Sequence, residues 1–206
     1  MDGLEERIEA ATLLRRLGHA FVGHEAAPDV HRQIAAFARD ILPVLEGGNP
    51  RSRPIHDMKR RLFDAPPADG DSMDHFPDCV VSGTANPMGV AITVRRSGDA
   101  AVAEVTLGAA FEGAPGRAHG GIVAAIFDDA MGFVLSMERT PAFTGRLTVS
   151  YAAPTPIGVP LEFRCRLRER AGRKLWIDGV ATSAGATVAT AEGLFISIPP
   201  DRFADG

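Results

Sequence analysis

The pattern of apolar positions changes character near Gly89. Ahead of it, Ile8, Ala11, Leu14 and Leu17 recur at three-residue steps within residues 4–19, and Val30, Ile34, Phe37 and Ile41 recur at steps of three and four within residues 29–45. Such spacing keeps side chains on one face of a helix, so both stretches predict amphipathic helices, punctuated by Pro28, Pro43 and Gly47-Gly48. From Asn49 to about Asp78, Pro, Asp and Arg dominate and the periodicity is lost, which predicts a linker or a loosely ordered strap with no identifiable chemistry.

Beyond Gly89 the period shortens to two. Residues 90–95 and 101–107 read as short strands joined by the turn Ser97-Gly98-Asp99. A loop rich in Gly and Pro follows, then a helical run from Gly120 to about Met137, then strands at 144–151, 159–169, 174–182 and 186–198. In the second of these, Leu161, Phe163, Cys165 and Leu167 alternate with Glu162, Arg164, Arg166 and Arg168, so one face packs and the other meets water. Two strands, one helix and a four-strand meander predict an α+β layout in which an antiparallel sheet covers a helix. That helix is apolar nearly all round (Ile122, Val123, Ile126, Phe127, Met131, Phe133, Val134, Leu135), which predicts burial. Asp128 and Asp129 lie inside it, and an unpaired buried carboxylate is costly, so at least one of them requires a partner.

Composition narrows the class. A chain of 206 residues, 45% hydrophobic, suits one domain plus an extension, here divided into a helical extension and linker over residues 1–70 and a domain over 71–206. Cys79 and Cys165 are too few for a disulfide framework or a zinc cluster, and no metal or bound cofactor is implied. A formal charge of -4 with interspersed signs argues against nucleic acid and leaves small molecules or like subunits as partners. The start has no basic or apolar leader, and no later stretch reads as ~18 apolar residues, so a cytoplasmic protein without a membrane span is expected.

The chemistry points to the start of the apolar helix. Helix N-termini present unpaired N–H groups and partial positive charge, and Gly120-Gly121 would let a ligand oxygen approach the backbone. A carbonyl aimed at the Gly121 N–H would be polarised, the task of an oxyanion hole, with His119 adding a second hydrogen bond or fixing the turn. Asp128 shares that face but stands about two turns away, ~10 Å along the axis. One chain does not easily bring both to one carbon, which predicts a dimer with composite sites.

The run Phe111-Glu112-Gly113-Ala114-Pro115-Gly116-Arg117-Ala118-His119-Gly120-Gly121, with Asp128 nine residues after the histidine, resembles the PaaI-like hot-dog-fold acyl-CoA thioesterases. Thr144 to Tyr151 with Pro154 resembles the strand after the family's central helix, and Cys79-x-x-Ser82-Gly83-x-x-Asn86-Pro87-x-Gly89 its entry to the sheet, so the likeness spans roughly residues 78–199. The resemblance implies a hot-dog fold, an acyl-CoA substrate in which coenzyme A is part of the substrate, and a homodimer formed edge to edge, often a dimer of dimers. It assigns Asp128 as base or nucleophile, the Gly121 N–H as donor to the thioester carbonyl, His119 beside that carbonyl, and Thr144 as a hydroxyl positioning water. Gly120 and Asn86 are the substrate-binding candidates it adds.

Bland readings stand beside these. Asp128 pairs structurally with Arg146, Asp129 is structural, Tyr151 and Trp176 are core or interface aromatics, and Arg51, Arg53, Lys59, Arg60 and Arg61 are a solvated basic stretch rather than a coenzyme A phosphate site. The rival functions are a hot-dog hydratase or dehydratase and a non-catalytic acyl-CoA-binding module. No Gly-x-Ser-x-Gly elbow is present.

Overall fold

The computed structural model describes residues 3–52 and 67–198. Two helices open it, α1 (Leu4–Gly23) and α2 (Pro28–Glu46), followed by strands β1 (Ser72–Met73), β2 (Thr93–Ser97) and β3 (Ala100–Thr106). A single 3-10 turn (Ala109–Phe111) leads into a small hairpin, β4 (Glu112–Ala114) and β5 (Arg117–Ala118). Helix α3 (Gly120–Met137) comes next, then β6 (Ala142–Tyr151), β7 (Pro160–Ala171), β8 (Lys174–Ser183) and β9 (Ala186–Ser197). Seven strands form one antiparallel sheet in the order β1-β2-β3-β7-β8-β9-β6. This is the expected layout, a hot-dog sheet around a central helix preceded by helices.

Helix α3 lies close to the sheet because the strands below it are stripped of bulk. Ala101, Cys165, Gly179 and Ala191 sit side by side across β3, β7, β8 and β9. A Cβ on Gly179 would come within 2.8 Å of the Phe127 ring, and one on Gly193 within 2.6 Å of Met131 Sδ. Phe127 and Phe163 meet edge to face at 5.0 Å. Leu161, Phe163, Leu175, Ile177 and Phe195 complete the core beneath the helix.

The opposite side of α3 is covered as well, which explains its all-round apolar character: the described residues from 67 onward run as a strap across it. Ser72 and Met73 pair with Arg95 and Val94, and the chain from there to Ile92 straps over the helix, burying Met73, Val81 and Ile92 in the same core. His75 stacks on Phe133 with ring centroids 3.4 Å apart. The strap also delays the first hairpin strand: Val90 and Ile92 donate to Val80 and Val81, and Ala91 adopts φ +58°, which no strand holds, so pairing starts at Thr93 rather than Val90. Of the basic stretch, Arg51 pairs with Asp78 at 3.3 Å; Arg53, Lys59, Arg60 and Arg61 lie outside the described residues. By length and composition alone α3 is apolar enough to cross a membrane, contrary to the sequence expectation, yet here it is the core helix.

Helix α1 docks with its polar face inward. Arg7 pairs with Asp78, Arg15 Nη1 donates to the Thr84 and Asn86 carbonyls at 2.9 and 2.7 Å, and His19 Nδ1 accepts the Ala110 N–H at 3.1 Å. Burial, then the neighbouring Arg15, hold His19 below its ordinary pKa, in keeping with an accepting, neutral ring. Ala11 is the residue of α1 that is buried, while Leu14 and Leu17 of the periodic apolar set face outward. No residue of α2 is buried.

Candidate functional site

His119 is the N-cap of α3, in extended conformation (φ -64°, ψ 131°), and its Nδ1 accepts the Gly121 N–H at 3.0 Å. An accepting Nδ1 places the ring hydrogen on Nε2, which has no partner among the described residues. The His119 N–H donates to the Phe111 carbonyl at 2.8 Å, and Gly113 lies so close that a Cβ there would stand 2.9 Å from His119 Cα. The Gly121 N–H is therefore engaged by its own histidine. The Gly120 N–H, at the first helical position, has no partner among the described residues. Tyr151, at the end of β6, donates its hydroxyl to the Gly120 carbonyl at 2.7 Å and ties the helix start to the sheet edge.

Two turns along, Asp128 Oδ1 accepts the Thr144 hydroxyl at 2.8 Å. Strand parity alone would deny this contact, since Leu147 and Val149 face the core and strict alternation would turn Thr144 away. A bulge at Gly145, where Thr144 pairs with Phe195 but Arg146 already pairs with Leu194, inserts one residue and brings Ala142 and Thr144 to the helix side. Arg146 is not the partner of Asp128; it pairs with Glu192 at 3.4 Å on the outer face.

Asp129 points the other way, into the strap. Cys79 Sγ donates to its Oδ1 at 3.3 Å and His75 Nδ1 lies 3.8 Å from the same oxygen. Burial opposes its charge, but His75, Ser82 and Cys79 together outweigh that and hold its pKa below the ordinary value. The two adjacent carboxylates thus divide into a partly exposed one at the edge strand and a largely buried one held at Oδ1, whose Oδ2 has no hydrogen-bond partner among the described residues. The Asn86 side-chain amide donates to Asp78 O at 3.1 Å and its Oδ1 accepts the Met88 N–H at 2.9 Å, which ties it into its own loop. Gly83 is part of the same loop, where a Cβ would lie 2.4 Å from the Cys79 backbone.

His75, Tyr151 and Gly145 were missed as contributors from sequence. A glycine interrupting an otherwise regular strand was the available signal for the bulge; His75 and Tyr151 offered none.

The sheet, the enclosed helix and the capped helix start define a hot-dog fold. A thioesterase superfamily protein designated RHA08564 superposes with a TM-score of 0.78 at 24% identity, over 92% of this chain and 90% of that one. The E. coli PaaI protein of the phenylacetic acid degradation operon gives 0.50 at 19% identity, over 52% of this chain and 83% of its own. In sequence the chain is similar to the acyl-coenzyme A thioesterase THEM4 of Mus musculus, 32% identical over 95 residues, which is 44% of this chain and spans only 40% of the length of that relative. No family model matches the chain.

Proposed function

We propose that the protein hydrolyses acyl-CoA thioesters to the free acid and coenzyme A, as a dimer in which Asp128 of one copy faces the helix start of the other. The observation that carries this reading is the Thr144-anchored Asp128 carboxylate, whose second oxygen has no partner among the described residues. The resemblance to THEM4 supports the substrate class.

In this reading the thioester carbonyl sits at the helix start. The Gly120 N–H, left without a partner, and the His119 Nε2–H polarise it, while the Gly121 N–H holds the histidine in the donating tautomer. Asp128 takes a proton from water, which adds to the carbonyl carbon; the C–S bond then breaks and the thiolate leaves and is protonated. Direct attack by Asp128 would give an enzyme anhydride instead, and repeated turnover in ¹⁸O-water followed by mass analysis of the protein identifies it, since an anhydride opened at the aspartyl carbon leaves label in Asp128 whereas general-base attack puts label only in the free acid. Gly120 and Asp128 stand ~12 Å apart along one helix, so a single chain does not converge them. The edge strand β6, bonded on one side only, is the surface along which a second copy would pair.

Thiol release from short, medium, long and aryl acyl-CoAs tests the proposal. Wild type should cleave at least one, and Asp128→Asn should fall by about 10² to 10⁴-fold while keeping its fold. A folded Asp128→Asn protein with wild-type turnover sinks the role of Asp128; binding without release in wild type would favour the binding module.

A further inference from the structure

We infer that α1 and α2 form an arm that covers a second copy of this chain, an interface beyond the sheet edge. The inference rests on the dimeric part of the proposed function and not on its chemistry.

Helix α2 is strongly amphipathic yet has no buried residue, with Phe37 62% and Leu45 70% exposed and Ile41 beside them on the same face. Large apolar side chains in register along a helix mark a surface that is covered by something. Helix α1 repeats the situation: it meets its own body through Arg7, Ala11, Arg15 and His19 and leaves Leu13, Leu17 and Phe21 outward. An open groove of about 680 Å³ runs along that outward face as far as Ala109.

Two observations select a second copy as the occupant. The root of the arm is continuous with the open sheet edge: His19 binds Ala110, Phe111 binds His119, and Gly120 binds Tyr151 at the end of β6. A copy paired along β6 therefore lies beside the arm. Finally, α2 carries Asp29, Asp40 and Glu46 against Arg32 and Arg39, and α1 carries Glu5, Glu6 and Glu9 against Arg7, Arg15 and Arg16. Neither helix has the basic excess that an anionic lipid surface selects.

Sedimentation of the full chain over a dilution series, with hydrogen exchange of α2, tests the inference. Wild type should sediment as a dimer or larger, with α2 amides protected in the assembly and losing protection on dilution. Phe37→Glu/Leu45→Glu should raise the dissociation constant at least tenfold, and Arg39→Gln, on the opposite face, should leave it unchanged. A monomeric wild type, or an unchanged constant in the double variant, overturns the arm. So does protection of α2 in a monomer, or capture of wild type by phosphatidylcholine vesicles that the double variant loses with its mass unaltered. Mass is read without substrate, so a dimer that hydrolyses nothing supports the arm while the thioesterase reading fails.

Discussion

Thr144 reaches Asp128 because Gly145 bulges out of the β6 ladder instead of pairing in it, and this makes a hydrogen bond depend on a backbone irregularity. Thr144→Ala should lower turnover about tenfold, the worth of one hydrogen bond to a charged group. Excising Gly145 leaves Thr144 and Arg146 paired with Phe195 and Leu194 in a regular ladder, so the threonine should stay on the helix side and turnover should hold; kinetics beside far-UV circular dichroism check both. Asp129 makes a different demand. Removing its neighbour in His75→Ala leaves a buried carboxylate short of compensation and should cost on the order of 3 kcal/mol, while adding Asp129→Asn should recover part of it, as a denaturation cycle would show. The Asp129 carboxyl is held below its ordinary 3.8. Its contribution is therefore complete above that pH, is lost as the pH falls through the depressed folded value, and should be smaller in His75→Ala. His119, Gly121 and Asp128 were legible as a candidate site because they lie along one helix, and Thr144 became so through resemblance to a family; that the Gly121 N–H is taken by His119, leaving the Gly120 N–H as donor, was not. The strap contacts of Asp129 were not, since His75 lies far away in sequence and no periodicity announces it.

At the scale of elements, α3 depends on what the strands omit. Gly179→Ala and Gly193→Ala each place a methyl group within 3 Å of Phe127 or Met131. Overpacking of this kind costs about 1–3 kcal/mol, so thermal unfolding should move down by roughly 2–10 °C. The order of strands and helices could be read from period and turn residues, because those are local. The docking of α1 could not: its regular apolar positions suggested that Leu14 and Leu17 face the body, whereas Arg7, Arg15 and His19 do so by bonding to carbonyl, carboxylate and N–H groups of distant loops. Polar recognition of backbone leaves no hydrophobic rhythm to read.

For the whole molecule, the distance between the helix start and Asp128 yields a complementation test. Gly120→Pro removes the N–H at a position that proline favours, and the His119 backbone at ψ 131° already suits a residue before proline. Gly120→Pro and Asp128→Asn should each be nearly inactive alone. Remixed after dissociation, they should regain about a quarter of wild-type activity, because half the dimers are mixed and each mixed dimer carries one intact site. A site contained within one chain would regain nothing.

The bare patches at Gly179 and Gly193 also govern how this chain can vary. They act like the cuts of a key: Phe127 and Met131, one helical turn apart, seat in them on neighbouring strands, and Asp128 rides between. A single inserted residue between His119 and Phe127 would turn the helix start by about 100° against the seated segment and part the donors from the carboxylate. Lineages descending from this chain are thus free to lengthen the loop before His119 or the arm, but the nine-residue interval from His119 to Asp128 has to be inherited whole.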